Sequence, residues 1–369
     1  FETRPVIKRA ATIGALLLVA AAAGIVAIAI WPESAGNGDI RSTGTQRGLS
    51  AAGEAGTNRI TGDSRTGSKQ SIGTFAAKLP TAERPGDARF ALSPAVRPLP
   101  VHYRFKHPPI AGVLFDMKSG QVLWQRKPEL KRPIASLTKM MTALMVARGD
   151  SPDERVRVSR NAAHTQGSAT GLLPQGRKVP LEALLKALIL ISANDAAVAL
   201  AEHDGGSVPH FIKEMNATAE AMGLDCTHFT TPNGLRDRGN YSCPRDLAAL
   251  ARADLANKRL AEIVRMRSAK PHFPIKGKHL YLTNNHYFLQ HGIGVPGAQV
   301  TGVKTGFTDA AGSCYVTTAR LGKHHLGLVL LHSPSPLTQV PALLRAGFVE
   351  VGAIAPPEPA PPVAMPPAG

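Results

Sequence analysis

Two hairpin signals stand at opposite ends of one stretch of about 250 residues, and only helical patterns lie between them. Apolar segments 112–117 and 121–124 flank the turn Lys118-Ser119-Gly120, and segments 314–320 and 325–332 flank Leu321-Gly322-Lys323. Between them, helices are expected over 136–147, 181–191, 196–202, 208–222 and 245–255, with a last one over 341–350. This order predicts an α/β fold of the α+β kind: one antiparallel sheet, flanked by helices, in which the first and last strands pair.

Outside that stretch the composition changes. Arg4, Lys8 and Arg9 precede 22 uncharged, largely apolar residues, 10–31. At about 1.5 Å per residue this run spans a bilayer and exceeds the length usual for a signal-peptide core. Its basic flank predicts a short cytoplasmic segment, 1–9, with everything after Trp31 exported. Ala27-Ile28-Ala29 keeps a cleaved signal peptide open beside a transmembrane signal anchor. Residues 32–98 are rich in Gly, Ser, Thr, Ala and Arg. Such a stretch buries too little apolar surface to offset its chain entropy, so a disordered linker is expected. Residues 353–369 read as an extended tail, seven of the last fourteen being proline. The folded unit is expected over 99–352.

The chain carries a net charge of +17, most of it within 101–350. That balance suits polyanions: nucleic acid, anionic lipid or acidic wall polymers. Export and an aromatic content of 5% argue against nucleic acid. Three cysteines are too few for a disulfide scaffold, and none has the spacing of a zinc site. Cys226 and Cys243 bracket a 16-residue loop and form either a disulfide or two separate thiols. Cys314, in a strand pattern, is expected to be a buried thiol.

The chemistry begins at Ser136-Leu137-Thr138-Lys139. One helical turn separates Ser136 from Lys139 and places them on one face, and Pro133 suits the approach to a helix start. Met140 to Ala147 is apolar on nearly every side, so this helix is expected to be central and its lysine costly unless it has a task. Burial and a neighbouring cation would lower the Lys139 pKa and leave an amine able to take the serine proton. Ser192-Ala193-Asn194 follows 56 residues after Ser136, and Lys304-Thr305-Gly306 follows 168 residues after it. The ordered trio Ser-x-x-Lys, Ser-x-Asn and Lys-Thr-Gly is that of penicillin-binding proteins and class A β-lactamases. Lys139 is expected to be the more buried of the two lysines, with Lys304 bordering an open groove and keeping its charge.

Over about residues 110–350 the sequence resembles the D-alanyl-D-alanine carboxypeptidases, the low-mass penicillin-binding proteins of serine peptidase family S11. The resemblance extends to Pro232-Asn233-Gly234-Leu235, to Arg245-Asp246-Leu247-Ala248 and to the run from Gly302 to Gly312. It implies a β-lactamase/transpeptidase-like antiparallel sheet with an all-helical subdomain that carries the middle motif. It also implies roles. Ser136 would be the nucleophile, Lys139 its base, Ser192 a proton relay and Asn194 an orienting group. Lys304 and Thr305 would bind the substrate carboxylate, and Gly306 would let the substrate backbone approach. The backbone N–H groups of Ser136 and Phe307 would form the oxyanion hole. The implied substrate is a peptidoglycan stem peptide ending in D-Ala-D-Ala, with β-lactams as covalent inhibitors and no metal or organic cofactor.

The sequence departs from the family in two places. A proline-rich tail stands where many relatives have a β-rich domain and an anchoring helix, which moves membrane attachment to the N-terminal segment. Family members often carry Thr or Arg in an Asn-x-Asn segment, and the corresponding stretch here is Thr283-Asn284-Asn285-His286, with His286 expected at the surface. Three rival activities share the motifs. A DD-endopeptidase would use the same site. A class A β-lactamase needs a water-activating glutamate, for which only Glu202, Glu214 and Glu220, on apparent helices, are at hand. A β-lactam sensor domain would need a cytoplasmic receiver, against nine residues before the apolar run.

Overall fold

The computed structural model describes residues 90–235 and 238–356, all within one unit, Gln70–Gly369. The expected cytoplasmic segment, the apolar run, the linker up to residue 89 and the tail from 357 lie outside the described residues. Among those described, no helix is long and apolar enough to cross a membrane.

Strands β1 (Ala111–Asp116) and β2 (Val122–Arg126) form the first hairpin, and β3 (Arg132–Pro133) leads into a 3-10 turn, Ala135–Thr138. Helix α1 (Lys139–Gly149) continues that turn. Then come β4 (Arg155–Arg157), α2 (Arg160–Ala163), β5 (Lys178–Pro180), α3 (Leu181–Leu190), α4 (Asn194–Asp204) and α5 (Val208–Ala221). After β6 (Tyr241–Ser242) follow α6 (Pro244–Ala256), α7 (Lys258–Val264), the short β7 (Ser268–Ala269) and β8 (Leu282–Thr283), and α8 (Tyr287–His291). Strands β9 (Gln299–Gly306), β10 (Cys314–Leu321) and β11 (His324–Leu331) precede the last helix, α9 (Pro336–Glu350).

The main sheet runs β2-β1-β11-β10-β9, antiparallel throughout. Its first and last strands pair, from Ala111 opposite Leu331 to Asp116 opposite Leu326. Side chains alternate across it, as strand geometry requires. Val113, Phe115, Val329 and Leu331 join the core beneath α1, α3, α4 and α6. Leu114, Leu328 and Leu330 face the other way, onto Val340, Leu343 and Phe348 of α9. Helix α1 is buried from Lys139 to Val146, and the small residues Ala196, Ala197, Ala199 and Ala201 let α4 pack closely within that core. Strand β9 lies at the sheet edge, so its outer backbone groups are open to a further strand.

Several boundaries differ from the sequence reading. Residues 90–98 are not linker: Phe90, Leu92 and Ala95 pack on the core. There the buried Arg252 donates to the carbonyls of Phe90, Ala91, Met117 and Lys118. At the other end Ala353 and Ile354 still pack beside α9. Helix α9 starts at Pro336 rather than 341. Proline suits a first helical position, and two prolines compete for it here. Pro336 takes it, and Pro341 sits inside the helix. Cys226 and Cys243 are joined as a disulfide, their Cα atoms 5.6 Å apart, and Cys314 is a buried thiol.

Candidate active site

The 3-10 turn carries Ser136 to the N-terminal end of α1, at the edge where β9 ends. Ala135 has φ 48°, and its carbonyl accepts from Thr138 Oγ1 at 2.9 Å. Asn240 Nδ2 donates to the same hydroxyl at 2.7 Å, so the turn is fixed from both sides. Two glycines permit the close approach. A Cβ on Gly234, whose φ is +75°, would overlap the Ala135 carbonyl oxygen. A Cβ on Gly306 would lie 2.9 Å from the Ser136 nitrogen. The end of β9, and with it the start of the Phe307 segment, is thus drawn against the Ser136 N–H.

Lys139 is fully buried. Its Nζ lies 2.9 Å from Ser136 Oγ, 2.7 Å from Asn194 Oδ1 and 2.7 Å from the Asn233 carbonyl oxygen. The last two partners can only accept. A neutral amine has two N–H groups for them and one lone pair left, directed at the serine hydroxyl. Burial holds the Lys139 pKa well below the ordinary lysine value, the charge of Lys304 lowers it further, and Asp195 works the other way.

Asn194 opens α4, and its Nδ2 donates to Gln166 O at 3.0 Å. Next to it, Asp195 accepts from Thr170 N, Thr170 Oγ1 and Gly171 N, tying the loop before β5 to the same helix end. Ser192 sits just ahead with φ 60°, a strained value for a residue with a Cβ. Its hydroxyl is buried and has no hydrogen-bond partner among the described residues. Thr142 of α1 holds the Asn233 segment from the other side, donating to Pro232 O at 2.7 Å.

Lys304 and His286 correct two expectations. Lys304 does not border an open groove. It is 1% exposed, its Nζ donates to Thr305 O at 3.0 Å, and burial lowers its pKa to about 7. His286 is not at the surface either: it is 1% exposed. Its Nε2 lies 3.3 Å from Val316 O and 3.2 Å from Thr317 Oγ1, and Phe288 and Tyr315 flank the ring. Burial first, opposed by the bond to Val316 O and aided by Lys304, brings its pKa to about 4. A neutral imidazole is far cheaper to bury than a charged one, which is why the ring can pack here. Phe307 is 67% exposed, so any part it takes runs through its backbone. Thr305 is half-buried, with Oγ1 3.5 Å from Asn285 Oδ1, a weak contact at most.

Ser136, Lys139 and Asn194 are therefore brought into direct contact, and Gly306 touches their turn. The contacts of the Asn233 carbonyl, Asp195, Thr142 and Asn240 went unread in the sequence. The Pro232-Asn233-Gly234 run was a signal for the first, through its glycine.

An antiparallel sheet with an open edge strand beside a serine and a buried lysine defines the class: the fold is that of the penicillin-binding DD-peptidases. Among solved structures it is similar to a D-alanyl-D-alanine carboxypeptidase from Mycobacterium tuberculosis, with TM-score 0.63 and 30% identity over 69% of this chain and 96% of that one. The family model described as D-alanyl-D-alanine carboxypeptidase, peptidase S11, matches residues 107–335, and the chain belongs to that family. Its curated relatives include the D-alanyl-D-alanine carboxypeptidase DacF of Bacillus subtilis, 31% identical over 62% of this chain and 59% of that protein. A D-alanyl-D-alanine endopeptidase of Pseudomonas aeruginosa is 30% identical over 60% of this chain and 70% of its own length. The chain thus spans about six-tenths of the first of these relatives.

Proposed function

We propose that this protein is a serine-type D-Ala-D-Ala carboxypeptidase acting on peptidoglycan stem peptides outside the cytoplasmic membrane, held there by its N-terminal apolar segment. The observation that carries the reading is the three-way contact of Lys139 Nζ with Ser136, Asn194 and the Asn233 carbonyl.

The substrate lies along the open edge of β9, where Gly306 leaves room for its backbone. Lys304 and Thr305 hold its terminal carboxylate, and Asn194 orients the peptide. Ser136 Oγ attacks the carbonyl carbon between the two D-alanines while its proton passes to the lone pair of Lys139. The N–H groups of Ser136 and Phe307 hold the oxyanion. The C–N bond then breaks, and the proton reaches the leaving D-Ala nitrogen through the Ser192 hydroxyl. Water hydrolyses the resulting ester and restores Ser136. A β-lactam acylates the same oxygen. Apart from that water, this sequence of steps uses only groups of the chain.

The endopeptidase relative favours a second reading, cleavage of a cross-linked stem at the same site. A test on the full chain compares release of D-Ala from a pentapeptide with cleavage of a cross-linked muropeptide, beside labelling by a fluorescent penicillin. Labelling lost in Ser136→Ala and D-Ala release from the pentapeptide are the expected results. Retained labelling in Ser136→Ala removes the nucleophile assignment, and cleavage of the cross-linked substrate alone favours the second reading.

A further inference from the structure

The end of the sheet remote from Ser136 carries a cationic cleft that the peptidase chemistry does not use. The register places Ala111, Gly306, Cys314 and Leu331 at the Ser136 end, and Asp116, Gln299, Arg320 and His324 at the other. Two cavities open there, of about 720 Å³ and about 600 Å³, and they share Leu255, Arg320 and His325 in their walls. Lys118, Arg320 and Lys323 line the first, and Arg265, Arg267 and Arg320 the second. All five cations are exposed, and none forms a salt bridge among the described residues.

The one carboxylate in these walls is already engaged. Asp116 Oδ1 accepts from Lys118 N, Ser119 N and Ser119 Oγ at 2.8 to 3.1 Å, within its own turn. The floor guanidinium, Arg252, is also committed, to four backbone carbonyls. Asp116 is thus the one carboxylate in these walls against five rim cations, and an anion bound there would gain from their combined field. Phe90, Met117 and Leu255 give one cavity an apolar side, and Leu255, Phe288 and Val300 do so in the other, beside His324, His325, Gln299 and Thr301. A cationic rim beside apolar side chains suits an anion that carries a hydrocarbon part, and either cavity alone is of a size for one head group. The chain also reaches the described domain at Phe90, on the wall of this cleft.

We propose that this cleft binds the phosphate head group of an anionic lipid, so that the domain rests on the outer face of the membrane with Ser136 turned away from it. The rim arginines and lysines pair with the phosphate, each cation near an anionic bilayer adds to the attraction, and the apolar side chains take the acyl chain next to the glycerol.

The test uses the full chain in nonionic detergent and reads the unfolding midpoint against three probes: dihexanoyl phosphatidylglycerol, dihexanoyl phosphatidylcholine and glycerol phosphate. A ligand of the native state raises Tm as its concentration passes Kd. The expected result is a saturable rise with phosphatidylglycerol, its apparent Kd weakened about tenfold or more in Arg320→Gln/Lys323→Gln. Phosphatidylcholine tests net charge and glycerol phosphate tests the acyl chain, and both should fall short. Lys323 lies in an exposed hairpin turn, so the single change Lys323→Gln, expected to weaken binding in the same direction, replaces the double variant if that one unfolds without probe. Absence of a saturable rise, a rise untouched by these changes, or an equal rise with either other probe overturns the proposal. None of these readings depends on the peptidase activity.

Discussion

Lys139 Nζ lies 2.7 Å from the carbonyl oxygen of Asn233, a backbone contact made across 94 residues of chain. With Asn194 Oδ1 it takes up both N–H groups of a neutral amine, so the lone pair has one place left to point, the Ser136 hydroxyl. A protonated Lys139 spends its third N–H on Ser136 and cannot act as base. On the proposed mechanism, activity therefore depends on which of two buried lysines holds a proton.

The pH profile of acylation should be a bell. Lys139 must be neutral, and its pKa is held well below the usual value by burial and by Lys304, so kcat/KM rises as Lys139 loses its proton. In the proposed mechanism Lys304 holds the substrate carboxylate as a cation, and its pKa is about 7, so kcat/KM should fall as pH passes that value. In Lys304→Gln the neighbouring positive charge is gone, the Lys139 pKa rises, the acid limb moves to higher pH and the fall near 7 disappears. Rates of penicillin acylation and pentapeptide hydrolysis between pH 4 and 10 check this. An acid limb that stays in place in Lys304→Gln breaks the proposed coupling.

Asp195→Asn should move the acid limb the opposite way. The Asp195 carboxylate raises the Lys139 pKa, so its removal lowers that pKa and acylation persists to lower pH. The same change weakens the tie to Thr170 and Gly171 and should cut kcat several-fold by loosening Asn194. Paired profiles of the two variants separate charge from position: a purely structural loss lowers the curve without shifting it.

The legible parts of the site were those carried by local spacing. Ser136 and Lys139 are one turn apart, and the Ser192-Ala193-Asn194 and Lys304-Thr305-Gly306 segments each sit within three residues. The paired terminal strands were legible for a similar reason, since each hairpin announces itself through its own turn. What stayed hidden depends on distant chain. The Asn233 carbonyl belongs to the backbone, which any residue type supplies. Lys304 and His286 look like surface groups in the sequence, yet both are buried, His286 against β10 and α8. Phe90, Leu92 and Ala95 have no periodicity, and their packing on Arg252 and the core is a tertiary event.

Asp254→Asn should stabilise the fold at neutral pH. Asp254 is 2% exposed, and its Oδ1 has no hydrogen-bond partner among the described residues. Burial raises its pKa well above the ordinary carboxyl value, against a smaller lowering by Arg148. The unfolded chain releases this proton from about pH 3.9, whereas the native state keeps it. Stability is therefore lost as pH rises from there to the folded pKa, by about 1.4 kcal/mol for each pH unit crossed. Asparagine keeps the shape without the titration. Urea unfolding at pH 4 and pH 8 should show the variant gaining on the wild type at the higher pH, and an unchanged difference between the two pH values contradicts the assignment.

Gly234→Ala should cost more than any other single methyl group added near the site. Gly234 adopts φ +75°, which an L side chain rarely adopts, and its Cβ would overlap the Ala135 carbonyl oxygen. That carbonyl accepts from Thr138 Oγ1 and closes the turn on which Ser136 sits. It is backbone, so it cannot swing aside as a flexible side chain could. Either the Pro232–Gly234 segment retreats, and the Asn233 carbonyl leaves Lys139, or the turn shifts and Ser136 leaves it. A loss of about 3 kcal/mol or more in stability is expected from overpacking together with backbone strain. Penicillin acylation should drop by at least about a hundredfold, since an ångström of misplacement at the reacting groups has that effect. The control is Gly277→Ala, also at positive φ (+89°) but with nothing within 4 Å of its added Cβ. It should lose stability to backbone strain alone and keep its acylation rate. Equal acylation rates in the two variants would mean that the Gly234 segment does not position Lys139 and Ser136.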